Sequence, residues 1–348
     1  SRLSGTLDIY QKKTTDLLIS RNLPGSAGFS STYYNQGSLN NKGVEFSLNA
    51  QIIDSSSWKW SVSGNIGVNR NEISDLGLLP ADFGCLGERV GYYGNSLGDH
   101  FGVGHIFLAG EAPGLFYGYV TQGIVQKEDI TENGIKYIKQ DGSVGYYQTV
   151  NKTTPVAGDV KYVDRNGDGV VDDNDRDIIG NPNPDFTYGF QTKVSWKSLS
   201  LSASFNGVQG RDILNVGNRY NNTPGTKSNN VTRKAFQNMW TDENPSNLYP
   251  KSTFVVQNMV MDRYVEDGSY LRCSDITLSY VLPAKWTNKI GIKNTSVYAS
   301  VKNAFVITDY SGYDPEVNSF AFDGLRPGVD MNSYPTPRSF VFGLNLTF

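Results

Sequence analysis

Residues 158–196 read GDVKYVDRNGDGVVDDNDRDIIGNPNPDFTYGFQTKVSW. They join two unlike halves. The first is an acidic loop in which Asp164, Asn166, Asp168, Val170, Asp172 and Asp175 fall at positions 1, 3, 5, 7, 9 and 12 of a calcium loop, with Gly169 at position 6. Calcium is a hard cation that takes about six to eight oxygens. This spacing wraps carboxylates, one amide and the Val170 carbonyl around a point while the glycine takes the sharp turn. Position 12 is Asp175 rather than glutamate, so bidentate closure is less assured. Asp, Asn and Gly also build solvated turns without a metal, and that reading stays open. An EF-hand needs a helix on each side. Here Asp159–Val163 is strand-like, and Pro182 and Pro184 forbid a helix downstream. The expectation is a structural Ca2+ in a loop, residues 158–184, set between β elements.

The second half is a strand. Phe186, Tyr188, Phe190, Val194 and Trp196 share one face, against Gln191, Lys193 and Ser195. The same alternation runs through the chain. Leu3, Leu7 and Ile9 alternate with polar residues. So do Val44, Phe46, Leu48, Ala50 and Ile52, then Trp58, Trp60, Val62, Ile66 and Val68. After Lys197-Ser198 come Leu199, Leu201, Ala203 and Phe205. Later runs are Ile276, Leu278 and Tyr280, then Val297, Ala299 and Val301, and finally Phe340 to Phe348. Eight strands are expected, and the fold class is all-β.

The polar face is Ser, Thr, Asn and Gln throughout. A soluble sandwich would hide the apolar face in a core; a porin-type barrel would turn it to lipid and keep the polar face in a wet lumen. The connections discriminate. Those at 53–57, 197–198 and 282–293 are short, and those at 13–41, 71–184, 209–270 and 304–338 are long. Strict alternation of short turns and long loops is the pattern of outer-membrane barrels, and loops this long are unusual in a compact soluble domain. The aromatic-ended last strand places its terminus at the periplasmic side, so the long connections are extracellular. A luminal face this poor in bulk would leave an eight-stranded barrel badly filled. The expectation is therefore a segment of a wider transmembrane antiparallel barrel.

Composition agrees. The chain has 348 residues, 37 Gly, 21 Tyr and a net charge of -3. That charge gives no reason to expect nucleic acid or anionic lipid as a ligand. No apolar run approaches the roughly 20 residues of a membrane helix. Cys85 and Cys273 are too distant in sequence for spacing to say whether they pair. His100 and His105 lie in a glycine-rich region and read as loop residues. An enzyme needs a nucleophile, base and orienting group in reach. No H-E-x-x-H occurs, and the nearest serine to a histidine, Ser96, is four residues from His100. No enzymatic activity is expected.

Several strings resemble the SusC/RagA family of TonB-dependent outer-membrane transporters. They are Ser1–Leu18, Gly110-Glu111-Ala112-Pro113-Gly114 through Tyr119, Gly158–Gly169 and Ile179–Phe190. The resemblance continues in Phe205–Gly210, Tyr270-Leu271-Arg272, Tyr310–Glu316 and Tyr334–Arg338. The resemblance implies a 22-stranded barrel of which residues 1–348 supply about the last eight strands, the plug domain and earlier strands being absent. It implies an N-terminal barrel and plug as partners, energy from TonB acting on that plug, and a SusD-like surface lipoprotein as a lid. It also implies an oligosaccharide or peptide substrate and a location in the outer membrane of a Bacteroidetes-type Gram-negative bacterium. A passive outer-membrane pore or a surface-adhesion barrel is the alternative. Loop aromatics such as Tyr92, Tyr93, Phe116, Tyr117, Tyr119, Tyr220, Trp240, Tyr310 and Tyr313 could stack on sugars, though loop packing is the more common use of such residues.

Overall fold

The computed structural model describes residues 2–23, 25–29, 31–77, 85–86, 89–97, 101–223, 230–252, 259–287 and 294–347. Eight long strands form one sheet in chain order: β1 (Leu3–Thr15), β2 (Ser38–Asp54), β3 (Trp58–Asp75), β4 (Phe186–Trp196), β5 (Leu199–Gln209), β6 (Tyr270–Val281), β7 (Asn294–Thr308) and β8 (Ser339–Thr347). Every neighbouring pair is antiparallel. Among the described residues β1 and β8 are edges that do not pair with each other. The sheet is an arc of barrel wall, as the alternation and the thin luminal face require.

Both faces follow from the period of two. Leu7, Phe46 and Ile66 lie side by side on one face, as do Val44 and Val68. Nothing in the described chain covers that face: Ile9, Leu201, Leu278 and Phe342 are all exposed. Such a stripe would be a liability in water and is satisfied in hydrocarbon. Trp58 and Trp196 stand opposite each other at the short-turn ends, ring centroids 6.0 Å apart, with the Lys197 ammonium 5.4 Å from the Trp196 ring. An aromatic girdle with a cation beside it marks the level of the membrane–water interface. No helix among the described residues is long and apolar enough to cross a membrane.

The hydrophobic core lies in the long connections. Phe116, Tyr119, Val125, Tyr137, Tyr147, Tyr162, Val171, Leu214, Met259, Met261 and Val329 form one buried cluster. The β3–β4 connection contributes a five-stranded sheet in the order Arg176–Gly180, Leu115–Tyr119, His105–Leu108, Arg89–Tyr93, Cys85–Leu86. A second sheet joins Asp212–Asn215 and Val265–Asp267 of the β5–β6 connection to Val329–Asp330 of the β7–β8 connection, with Leu214 opposite Val329. Tyr119 N–H donates to Val260 O at 2.9 Å. Three external loops thus share one core, an organisation that loop sequences with no periodicity did not disclose.

Candidate functional site

The acidic loop leaves a short strand, Val160–Tyr162, and ends in a 3-10 turn, Asp173–Asp175. Asp164 and Asp175 are buried at its two ends. Asp164 accepts from the Gly167 and Gly169 amides at 2.6 and 2.8 Å. Asp175 accepts from the amides of Arg165 at 2.7 Å and Asp172 at 2.8 Å. Asp168 accepts from Val170 N–H, Asp172 from Asn174 N–H, and Asn166 Oδ1 from Asp168 N–H. Gly167 and Gly169 have φ of 75° and 87°, the left-handed turns that this wrapping needs. The loop closes on itself with its first and last carboxylates innermost.

The donor set is right in kind for a hard cation, since all six positions offer oxygen. Asp164 and Asp175 have no Lys or Arg partner among the described residues; the nearby guanidinium of Arg165 pairs with Asp177 at 2.6 Å. Burial raises the Asp175 carboxyl above its ordinary range, the neighbouring Asp164 adds to that, and the backbone amides oppose it. The oxygens are held mainly by amides, and among the described residues no group of three or more acidic, His or Cys side chains is gathered into a metal cluster. The loop therefore carries the ligand types and the wrap, with its side chains turned onto its own backbone.

Most of the loop aromatics are packing residues. Phe116, Tyr117, Tyr119, Trp240 and Tyr310 are buried. Tyr93 stacks on Tyr117, and Tyr220 meets Phe101 edge-on. Tyr313 alone of the described set is open, at 72% exposure. The Tyr92 side chain and all of His100 and Phe348 lie outside the described residues. Cys273 is a free, buried thiol. His105 is fully buried; its Nε2 lies 2.9 Å from Pro327 O, which can only accept, so Nε2 carries the proton. One spacing that sequence reasoning passed over is Gly94-Asn95-Ser96-Leu97-Gly98, which has the bare form of a hydrolase nucleophile elbow. Such an elbow joins a strand to a helix. Here Leu97 N–H donates to Gly102 O and Ser96 bridges antiparallel to Val103, so the serine stands in a β pairing; Gly98 lies outside the described residues.

A second polar cluster lies at the external rim of the sheet. Arg272 of β6 is buried, with Nη2 2.5 Å from Asp314 Oδ1 and Nε 3.2 Å from Glu316 Oε2. Tyr270 donates to Glu316 Oε1 at 2.7 Å and Asn206 of β5 donates to the same oxygen at 2.9 Å. Asp314 Oδ2 accepts from Thr336 N–H at 3.1 Å, and Arg211 donates to Pro315 O. Burial pushes the Asp314 carboxyl up, but the amides of Glu316 and Thr336 and the Arg272 cation outweigh it and hold it low. A bulge sets the register: Ser204 is opposite Asp275 but Phe205 is opposite Cys273. Were the alternation unbroken through Ser274, Arg272 would share the lipid face with Ile276 and Leu278. The bulge re-aims it inward.

A scan of protein-family models finds no match. The chain is 32% identical over 356 residues to TonB-dependent receptor P26 of Formosa agariphila, covering 100% of this chain and 33% of that protein. It is 32% identical over 357 residues to TonB-dependent receptor SusC of Bacteroides thetaiotaomicron, covering 100% and 30% respectively. Among solved structures, the RagAB peptide transporter superposes with a TM-score of 0.71 at 27% identity, over 100% of this chain and 34% of that one. The chain belongs to the SusC/RagA family. It matches the C-terminal barrel portion of SusC/RagA proteins and spans about a third of the length of these relatives.

Six of the eight strings that carried the SusC/RagA resemblance meet in space, in two places. Phe205–Gly210, Tyr270–Arg272, Tyr310–Glu316 and Tyr334–Arg338 each contribute a residue to the Arg272 cluster. A second meeting joins Gly110–Gly114 to Ile179–Phe190, where Asn183 Nδ2 donates to Pro113 O at 2.8 Å. These SusC/RagA motifs are the fastenings between barrel strands and external loops.

Proposed function

We propose that the chain forms part of the wall and outer loops of an active outer-membrane importer of oligosaccharides or peptides. The observation that carries this is an apolar-faced arc whose two edges are unpaired among the described residues, joined to one fused external unit. Backbone edges in lipid leave donors and acceptors unsatisfied, so the arc needs the remaining barrel strands to close it. A plug inside the closed barrel would transmit energy from TonB. A SusD-like lipoprotein would rest on the external unit, whose rigidity lowers the ordering cost of docking. The relatives, a TonB-dependent receptor and a peptide transporter, support the same reading.

Uptake of labelled oligosaccharide and peptide mixtures by cells making the whole transporter, with and without TonB, tests it. Uptake that stops when TonB is depleted is the expected result. Uptake that persists favours a passive pore, and unchanged uptake on deleting the protein favours an adhesin.

The same reading assigns a structural Ca2+ to Asp164, Asn166, Asp168, Val170, Asp172 and Asp175. What supports it is the spacing together with two buried carboxylates that lack a cation. The ion would supply charge neutralisation and stiffen the loop. Terbium luminescence on the whole transporter should show a site displaced by calcium and weakened at least tenfold by Asp164→Asn. Equal terbium binding in that variant sinks the assignment.

A further inference from the structure

The lipid face ends in a change of chemistry. Across β1, β2 and β3 its last apolar row is Ile9, Val44 and Val68, standing side by side. The next outward-facing row toward the external loops is Gln11, Lys42 and Arg70, and the row beyond it is Lys13, Asn40 and Glu72. The register is unbroken through all three rows. The alternation that sends Val44 to lipid therefore sends Lys42 and Asn40 the same way.

Their height is that of the membrane surface. Trp58, in the interfacial girdle, and Val68 are ten residues apart on β3. That is about 33 Å of strand at about 3.3 Å per residue. A tilt of about 40° leaves about 25 Å, the height of an outer-membrane barrel's apolar band. Lys42 and Arg70 thus stand where headgroups begin.

The donors on the β1–β2 side are open. Gln11, Lys13 and Lys42 are exposed. Among the described residues neither these nor Asn40 has a side-chain hydrogen-bond or ion-pair partner. The carboxylates of the patch lie on its other flank. Arg70 Nη2 donates to Asp185 Oδ1 at 3.0 Å and Nη1 to the Asp185 carbonyl at 2.8 Å, while Glu72 stands on β3 across from Asn40. Arg70 is held in place, and the two lysines face amides, not carboxylates, across their own strand pair. Unpaired polar side chains are ordinary on the luminal face, which is wet. On this face they meet headgroups, and a molecule that reaches them also lies on the apolar rows below.

Chemistry then selects the headgroup. Lys42 opposite Gln11 and Lys13 opposite Asn40 make a square of four donors, two of them cations. A phosphate brings negative charge and three strong acceptor oxygens. A carboxylate brings two, and a neutral headgroup brings no charge. The net charge of -3 belongs to the whole chain and conceals this local group of cations. We propose that Gln11, Lys13, Asn40 and Lys42 bind the phosphate of an anionic lipid in the outer leaflet, whose acyl chains lie on Ile9 and Val44. The site is independent of the cargo. It rests only on the lipid-facing reading of this sheet, which Phe342→Arg tests separately.

Full-length transporter in detergent micelles, stripped of bound lipid, is titrated with dioleoyl phosphatidic acid and read by native mass spectrometry. Dioleoylglycerol and oleate are the comparison lipids, and excess inorganic phosphate is the competitor. Other cations of the barrel also attract an anionic lipid, so the readout is the change between variants. Lys13→Gln with Lys42→Gln removes two charges from the lipid face. Lys59→Gln with Lys193→Gln removes as many from the polar face, at exposed positions that lipid does not reach. Each cation near an anionic membrane surface contributes roughly fivefold. The first pair should therefore weaken the tightest phosphatidic acid site at least tenfold, and the second pair should leave it unchanged. The unaltered protein should bind phosphatidic acid at least tenfold more tightly than either comparison lipid, and inorganic phosphate should not displace it. No weakening by the first pair, or equal weakening by both, overturns the site. Equal binding of oleate overturns the phosphate, and displacement by inorganic phosphate overturns the lipid. Lys42→Arg keeps the charge and should retain the lipid, which guards against a folding defect in the glutamine pair; loss of the lipid there also overturns the site.

Discussion

Arg272 and Asp314 meet at 2.5 Å beneath the external loops, one from a bulged strand of the wall and the other from the last long connection. Both are buried. Removing one partner of such a pair strands the other charge and typically costs about 3–5 kcal/mol. Arg272→Met should lower the unfolding midpoint of the whole transporter in detergent and expose the 309–338 connection to protease. Arg272→Lys should recover only part of the loss, because a lysine cannot hold Asp314 and Glu316 with a planar fork.

Tyr10 and Gly43 form a different kind of pair. They are directly opposite, and the tyrosine ring occupies the volume that a Cβ at Gly43 would need. Tyr188 covers Gly207 and Tyr298 covers Gly343 in the same way. Gly343→Val should therefore displace Tyr298 and destabilise the barrel by about 1–3 kcal/mol, the usual cost of overpacking. The double variant Tyr298→Ala with Gly343→Val should recover part of that, measured by the heat-dependent gel shift of the folded barrel. A fully additive pair would show that ring and glycine do not share the space.

Phe342, at 80% exposure in the middle of β8, belongs to the lipid face. An arginine there should cost about 2–4 kcal/mol if the residue sits near the bilayer midplane, since charge on that face is penalised by depth. Gln191→Arg on the polar face should change little. Unfolding titrations in lipid vesicles measure both, and equal costs would refute the assignment of faces.

His105 makes the external unit sensitive to acid. Burial is the main cause that pulls its pKa from 6.5 to about 4; the Pro327 carbonyl and Asp323 oppose the shift, and Arg326 adds to it. The unfolded chain therefore takes up a proton before the folded one does. Stability is full above pH 6.5 and is lost as pH falls toward 4. At about 1.4 kcal/mol per unit, the whole window is worth about 3 kcal/mol. Hydrogen exchange over residues 101–119 should quicken between pH 7 and 4.5, and His105→Gln should flatten that dependence.

The wall was legible because its information is local and periodic. Alternate residues must face opposite ways along a strand, so Phe186–Trp196 or Leu199–Phe205 declares its lipid face without knowledge of any neighbour. The acidic loop was legible in ligand type for the same reason, since Asp164 to Asp175 form one continuous turn. The bulge at Ser274 was not legible. It turns Arg272 away from the lipid face of Ile276, and nothing in the order of residues marks where the register slips. Nor was the fate of the loop aromatics. Phe116 and Tyr119 have the composition of a stacking site, yet they close a core assembled from three connections far apart in the chain. Sequence alone determined which residues meet lipid and which stay polar, because period and side-chain chemistry set that strand by strand. Tertiary structure decided which loops share a core and which charges pair, because those depend on contacts between segments that sequence order keeps apart.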